Sequence, residues 1–173
     1  MERWDLYTAD RKPTGETHIR GEELPENRYH LVVHVWVRNS RGEYLISQRA
    51  ADRPTFPLFW ESIGGSVLQG ETSMQGALRE VKEEVGLDLS PDCGELVFSQ
   101  VRDRIDGRKF GDILDVWLFT YDGKVDLSHA TTKEVAQTRW MTPEQIDDLY
   151  QSGRLVRTLG YFFEKIAGKN KAE

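Results

Sequence analysis

Apolar and polar positions divide this chain into a small number of elements. Leu31 to Val37 and Tyr44 to Gln48 are β-rich runs, and "NSRGE" between them carries a hairpin turn signal. Further on, "GELVFSQVRDRI" and "GDILDVWLFTYDG" read as two strands separated by "DGRKFG", and "VAQTRWMT" as another short strand. "RPTFPLFWESIGG" is a proline-punctuated loop running into a short strand that ends at a glycine pair. Ahead of these, "WDLYTADRKPTGETHIRGEELPENRYH" mixes short apolar pieces with Gly, Pro and charge. It predicts an extension with a small hairpin around Lys12 to Gly15.

The period changes to that of a helix after Glu71. Thr72 and Gln75 form a capping box, so a helix starts near Ser73, and Gly86 supplies its stop. Met74, Ala77, Leu78, Val81 and Val85 fall on one stripe, the core face. A second helix begins with Thr142 as N-cap, Pro143 at the first helical position and Gln145 completing a box; Gly153 ends it. "RLVRTLGYFFEKIAG" predicts a final amphipathic helix. The order of strands, helix, strands and helices predicts an α+β fold, an α/β/α sandwich on a mixed central sheet, without regular βαβ alternation.

A chain of 173 residues suits one domain. Its net charge of -6 argues against a broad basic surface, so no nucleic-acid partner is expected. Cys93 is the only cysteine, which removes an intrachain disulfide and a Cys-based zinc cluster and points to a reducing, cytoplasmic setting. The first residues have no apolar signal-peptide core, and "LVVHVWV" is too short to cross a bilayer, so no membrane partner is expected. The tail "AGKNKAE" reads as frayed.

The first helix breaks a local rule. Glu80, Glu83 and Glu84 crowd its C-terminal end. Like charges three and four residues apart repel by about 0.2–0.5 kcal/mol per pair. Acids in the last turn lose about 0.3–1 kcal/mol each against the helix dipole. Arg79 and Lys82 offset part of this, and a solvated acidic face is the bland reading. A hard divalent cation among the three carboxylates would make them favourable.

The spacing sharpens that reading. From Gly65 the chain runs Gly, five residues, Glu71, seven residues, Arg79-Glu80-Val81, one residue, Glu83-Glu84, one residue, Gly86-Leu87. This resembles the Nudix box, with all nine specified positions matched across 23 residues. The resemblance covers residues 28–168 as a Nudix hydrolase domain, leaving 1–27 as an N-terminal extension and 169–173 as the tail.

The resemblance implies hydrolysis of a nucleoside diphosphate linked to another moiety, or of a related organic diphosphate, with Mg2+ or alternatively Mn2+. Glu80, Glu83, Glu84 and the Gly65 carbonyl would be metal ligands. Glu83, Glu84, Glu134, Arg79 and Glu71 would form the catalytic set, with Arg79 orienting the glutamates, Glu71 supporting from behind, and Glu134 as base or extra ligand. Asp112 and Asp115 are weaker alternatives to Glu134. Arg49 would touch substrate phosphate, with Arg53 a second candidate. Phe110, in the "DGRKFG" loop, would contact substrate, while Trp36, Trp60, Trp117 and Phe119 are better read as core. Gly76 lies on the acidic arc, where a larger side chain would crowd metal or substrate. The partner is a small-molecule diphosphate. The extension is a candidate for homodimerisation or for covering the site.

A related branch, isopentenyl-diphosphate isomerase, has W-x-S-x-C-G-H around this strand end. Here the line is Trp60-Glu61-Ser62-Ile63-Gly64-Gly65-Ser66, with Gly64 at the Cys and Ser66 at the His. Isomerase chemistry is therefore not expected, although His30 matches one histidine of that branch. His30 and His34 are read as strand residues satisfied by hydrogen bonds. A non-catalytic binding domain is the remaining alternative, and the retained glutamates argue against it.

Overall fold

The structure, a computed structural model, describes residues 1–105 and 107–168. Two strands, β1 (Arg3–Tyr7) and β2 (Pro13–Ile19), make an antiparallel hairpin of their own. Its turn is Thr8–Lys12, closed by the Arg11 N–H on the Thr8 carbonyl at 2.9 Å. That is earlier than Lys12–Gly15, because Pro13 opens β2, a position that needs no ladder donor.

Seven strands form the main sheet. These are β3 (His30–Arg38), β4 (Tyr44–Arg49), β5 (Trp60–Glu61), β6 (Ile63–Ser66), β7 (Gly94–Ile105), β8 (Arg108–Thr120) and β9 (Val135–Met141). The order is β5-β4-β3-β8-β7, with β6 also on β3 and β9 also on β4. Only β3 and β8 run parallel among these pairs, so the sheet is mixed, as the element order predicts. Helix α1 (Ser73–Val85) covers one face, where Ala77, Val81 and Val85 meet Val33, Val35, Ile63 and Ile113. Helix α2 (Pro143–Gln151) and the C-terminal segment cover the other, around Trp36, Tyr44, Ile46 and Val116. Both capping boxes are present.

β3 and β4 meet only at Arg38 and Tyr44. Beyond that pair they diverge: β6 pairs with β3, and β5 pairs with β4. The break between β5 and β6 at Ser62 therefore lies where the sheet splays.

Two further sequence expectations need correction. "DGRKFG" is not a separate loop, since Lys109 pairs with Arg104 and Phe110 lies in β8; Asp106 lies outside the described residues. The final helix is not continuous. Leu155 bridges to Trp60, and the Val156 N–H reaches the Trp60 carbonyl at 2.9 Å, so this stretch is extended. A short turn at Arg157–Leu159 and a π-helical segment, Phe162–Ala167, follow. Edge pairing with β5 satisfies backbone groups that a helix would otherwise bond internally. Residues 169–173, the expected tail, lie outside the described residues.

His34 is half-buried on the α2 side, with its Nδ1 2.8 Å from the Tyr161 hydroxyl. Trp36 Nε1 donates to that hydroxyl at 3.0 Å, so the hydroxyl proton is directed to a neutral His34. Burial, with Arg102 nearby, pushes the imidazole down to about 3. Between the ordinary histidine value of 6.5 and about 3, the unfolded chain takes up a proton that the fold refuses. Stability is thus lost as pH falls through that window. A His34→Asn variant keeps an acceptor for Tyr161 without titrating. Relative to it, the wild type should lose up to about 1.4 kcal/mol per pH unit below about pH 6. Urea denaturation across that range reads the difference; a gap independent of pH would contradict a neutral His34 in the fold.

Candidate active site

The helix that breaks the charge rule is fixed at both ends. Thr72 and Gln75 cap its start, and Gly86 ends it with φ +74. A side chain at Gly86 would also meet His129 at 2.7 Å, so only glycine serves there. The loop ahead of β9 is stapled to this end of α1. The Thr131 and Thr132 N–H groups donate to the Glu83 carbonyl at 3.0 and 3.1 Å. That staple brings Glu134 toward the helix acids. On its other side the Glu134 carbonyl accepts from the Ala50 N–H at 2.8 Å, next to β4.

Arg79 organises the box. Its Nε and Nη2 bond both oxygens of Glu71 at 2.8 and 3.1 Å. Nη1 bonds Glu80 at 2.8 Å and Glu83 at 3.0 Å, and Nη2 also reaches the Ser66 carbonyl at 2.8 Å. All five donors of the guanidinium are used. Glu71 also accepts the Leu68 N–H at 2.9 Å. Burial would raise the Glu71 carboxyl, but Arg79 and that N–H together hold it below the ordinary glutamate value.

Glu84 has no such partner. It is 7% exposed, accepts one bond from the Gly64 N–H, and its Oε2 has no hydrogen-bond partner. Burial raises its pKa well above 4.5, and the charges of Glu80, Glu61 and Glu134 add to the rise. Glu80 is raised for the same first reason, offset by Arg79. Gly65 lies against this group: a Cβ there would run into the Glu80 carboxylate. The absent side chain leaves room at the carboxylates.

Glu61 belongs to the same group and was missed in the sequence. Its carboxyl is raised by burial and offset by Arg49, which bonds it at 2.7 Å. One signal was available. In "WESIGG", strand alternation puts Glu61 with Ile63 and Gly65 and against Trp60 and Ser62. A glutamate on the α1 side of an otherwise apolar strand end is unusual.

Arg53 pairs with Glu134 at 2.7 Å. Arg49 also donates from Nε to the Thr55 carbonyl at 2.9 Å. The structure thus brings together Gly65, Glu71, Arg79, Glu80, Glu83, Glu84, Glu134, Arg49 and Arg53. It does not join Phe110 to them: that ring lies under Arg102, 5.0 Å from the guanidinium carbon. Asp112 is bound by Arg102 at 2.6 and 2.7 Å, and the fully buried Asp115 by Arg11 at 2.6 and 2.5 Å. Both aspartates serve ion pairs elsewhere in the sheet. Gly76 faces Val67, whose methyl a Cβ would meet at 2.9 Å, so its smallness serves helix–loop packing and not the acidic arc. Trp36, Trp60 and Phe119 are buried in the core.

Oxygen donors on one side, guanidinium groups beside them and a buried oxygen without a partner suit a hard divalent cation bound together with an anion. Among the described residues, no three carboxylate, imidazole or thiol groups already converge into a coordination shell. A cavity of about 130 Å3 adjoins Glu61 and Gly65, walled by Val32, His34, Val156 and Leu159. Larger depressions, of about 390 Å3 near Tyr29 and Asp103 and about 640 Å3 near Arg38 and Phe163, are lined by none of the clustered carboxylates.

A sequence model of the NUDIX domain matches residues 28–160. An uncharacterized Nudix hydrolase of Listeria innocua is 41% identical over 166 residues, covering 94% of this chain and 91% of that relative. Isopentenyl-diphosphate Delta-isomerase of Escherichia coli is 28% identical over 87 residues, covering 50% of this chain and 48% of that enzyme. A crystal structure of a Deinococcus radiodurans protein shares the fold with TM-score 0.70 at 23% identity, covering 90% of this chain and 92% of that one.

A buried carboxyl with an unpartnered oxygen weighs on the fold. Glu84→Gln should stabilise the metal-free protein at about pH 7 by about 1–3 kcal/mol, since the new amide can donate to neighbouring carboxylates. Because the raised Glu84 pKa lets the folded wild type take up the proton on acidification, the gain should shrink as pH falls toward 4.5, the ordinary glutamate value. Thermal melts in EDTA at several pH values decide it; no stabilisation would mean that Glu84 is compensated by groups other than those described.

Proposed function

The chain belongs to the Nudix family and is a hydrolase of the diphosphate-cleaving kind, and from that premise we propose that Glu80, Glu83, Glu84 and the Gly65 carbonyl bind Mg2+, with Mn2+ as alternative. The observation that carries this is the unpartnered Oε2 of buried Glu84, beside Glu80 and the gap at Gly65. The residues fit a hard cation, all donors being oxygen. When bound, such an ion neutralises a diphosphate and acidifies a coordinated water.

The chain's own groups supply the rest. Arg79 and Glu71 hold the helix acids in place, as the hydrogen bonds of Arg79 support. Arg49 and Arg53 bind phosphoryl oxygens, for which a planar fork of donors is suited. Glu134 accepts the proton of the attacking water or adds a ligand; its approach to Glu80 and Glu84 supports either role. Phosphorus is attacked, and the bridging oxygen leaves with one phosphate. The substrate is a nucleoside diphosphate derivative or a related organic diphosphate.

One observation bears on isomerisation. At Gly64, where the isomerase pattern has its cysteine, a Cβ would run into the Val33 carbonyl. No thiol fits on this backbone, which favours hydrolysis.

Phosphate release from a panel of nucleotide and organic diphosphates, read after a coupled phosphatase wherever the products are phosphomonoesters, with Mg2+, Mn2+ or EDTA, tests the proposal. Isopentenyl diphosphate belongs in the panel and is followed for isomerisation as well. Metal-dependent release is expected, and Glu83→Gln should keep the fold while lowering kcat/KM by more than about a hundredfold. Undiminished turnover in that variant would remove Glu83 from the metal site.

A further inference from the structure

Two arginine–glutamate pairs flank β4 at the mouth of the carboxylate group. Glu61 stands opposite Ser47 in β5 and is held by Arg49 at 2.7 Å. Glu134 immediately precedes β9 and is held by Arg53 at 2.7 Å. Together with Arg79 these arginines supply three guanidiniums for Glu61, Glu71, Glu80, Glu83, Glu84 and Glu134. Only Glu84 lacks an arginine, and its buried Oε2 is unpartnered within the same group.

Arg49 and Arg53 sit on a distinctive support. Arg49 ends β4, and Arg53 lies in the loop that follows. In that loop Phe56 and Leu58 have left-handed backbones, with φ +49 and +63, and both side chains are exposed. Such conformations in non-glycine residues persist where surrounding contacts hold them, and they gather at ligand clamps. Here Arg49 provides the contacts, bonding the Thr55 carbonyl and hydroxyl at 2.9 and 3.2 Å, while Gln48 bonds the Leu58 carbonyl at 2.9 Å.

We propose that Arg49 and Arg53 are exchangeable counterions and that Glu61 is a further metal ligand, held back by Arg49 until a diphosphate arrives. This rests on the metal-dependent reading above. In the ligand-free protein each arginine neutralises one carboxylate. A diphosphate offers both arginines a more highly charged acceptor with bidentate geometry. Their transfer to its phosphoryl oxygens releases Glu61 and Glu134 toward the cation that the same diphosphate brings. Substrate and metal thus bind cooperatively, each raising the affinity for the other.

A double-mutant cycle on the full chain tests this by Mn2+ binding, followed by electron paramagnetic resonance without substrate. Arg49→Gln should tighten Mn2+ by about tenfold, because Glu61 is freed. In the Glu61→Gln background the same change should give only a small gain, from the lost positive charge. Equal gains in both backgrounds would overturn Glu61 as a ligand. Adding methylene diphosphonate, a non-hydrolysable diphosphate, should tighten Mn2+ in the wild type by about tenfold and in Arg49→Gln much less. The same enhancement in both proteins would overturn the exchange. A wild type that binds no Mn2+ would instead remove the metal-dependent reading itself. Should Arg49→Gln fail to fold by thermal melt, the Arg53→Gln and Glu134→Gln cycle asks the same question of the second pair.

Discussion

A carboxylate moved out of water must be neutralised, paired or left as a defect, and the architecture around α1 is arranged by that constraint. Arg79 pairs with Glu71, Glu80 and Glu83 from within the box. Arg49, at the end of β4, and Arg53, in the loop after it, pair with Glu61 and Glu134. Glu84 is the defect that remains. Four separate stretches of chain must meet for this balance to exist: the end of β4, β5, α1 and the loop ahead of β9. The staple from Thr131 and Thr132 to the Glu83 carbonyl joins two of them. The β4–β5 ladder joins two others.

The sheet deals with buried polarity in two ways. Around α1, charge is kept and balanced by charge, as it is in the buried Arg102–Asp112 pair of β7 and β8. His34, Trp36 and Tyr161 instead form a neutral chain of hydrogen bonds, and desolvation keeps the imidazole uncharged. Both solutions come close together at the splay of β3 from β4. Gly64 packs on the β3 backbone beside His34, and Gly65 faces the Glu80 carboxylate. Consecutive residues of one strand point to opposite faces, so a glycine pair is what lets one backbone approach both.

Much of this was legible in the sequence where signals are local. The Thr72–Gln75 and Thr142–Gln145 boxes, the Asn39–Glu43 turn and the core stripe of α1 depend on neighbours within a few residues, and the structure has each of them. What escaped depends on distant partners. Leu155 and Val156 carry a helical pattern yet pair with Trp60, nearly a hundred positions away. Glu61 is unremarkable until β5 is known to lie on β4 beside Arg49. Gly76 sits on the acidic arc of a helical wheel, but the wheel does not show that Val67 lies against it. The Nudix box named the helix acids; it contains neither Glu61 nor the arginines that hold the outer pairs.

The hairpin of β1 and β2 lies before the residues matched by the family, and yet it is tied to the box physically. Arg3 accepts the Gln69 N–H through its carbonyl, and the Asp5 carboxylate accepts the Gly70 N–H, both at 2.8 Å. These bonds fix the loop whose Glu71 takes two donors of Arg79. At the hairpin turn, Arg11 closes on the fully buried Asp115 of β8. A buried aspartate left without that arginine would be strongly unfavourable, so the hairpin is anchored at its tip as well as along β1. The chain of contacts then runs from Asp115 through the hairpin to the loop, and from Glu71 through Arg79 to Glu80 and Glu83. A segment that composition marks as peripheral is, by its hydrogen bonds, part of what holds the helix acids in register.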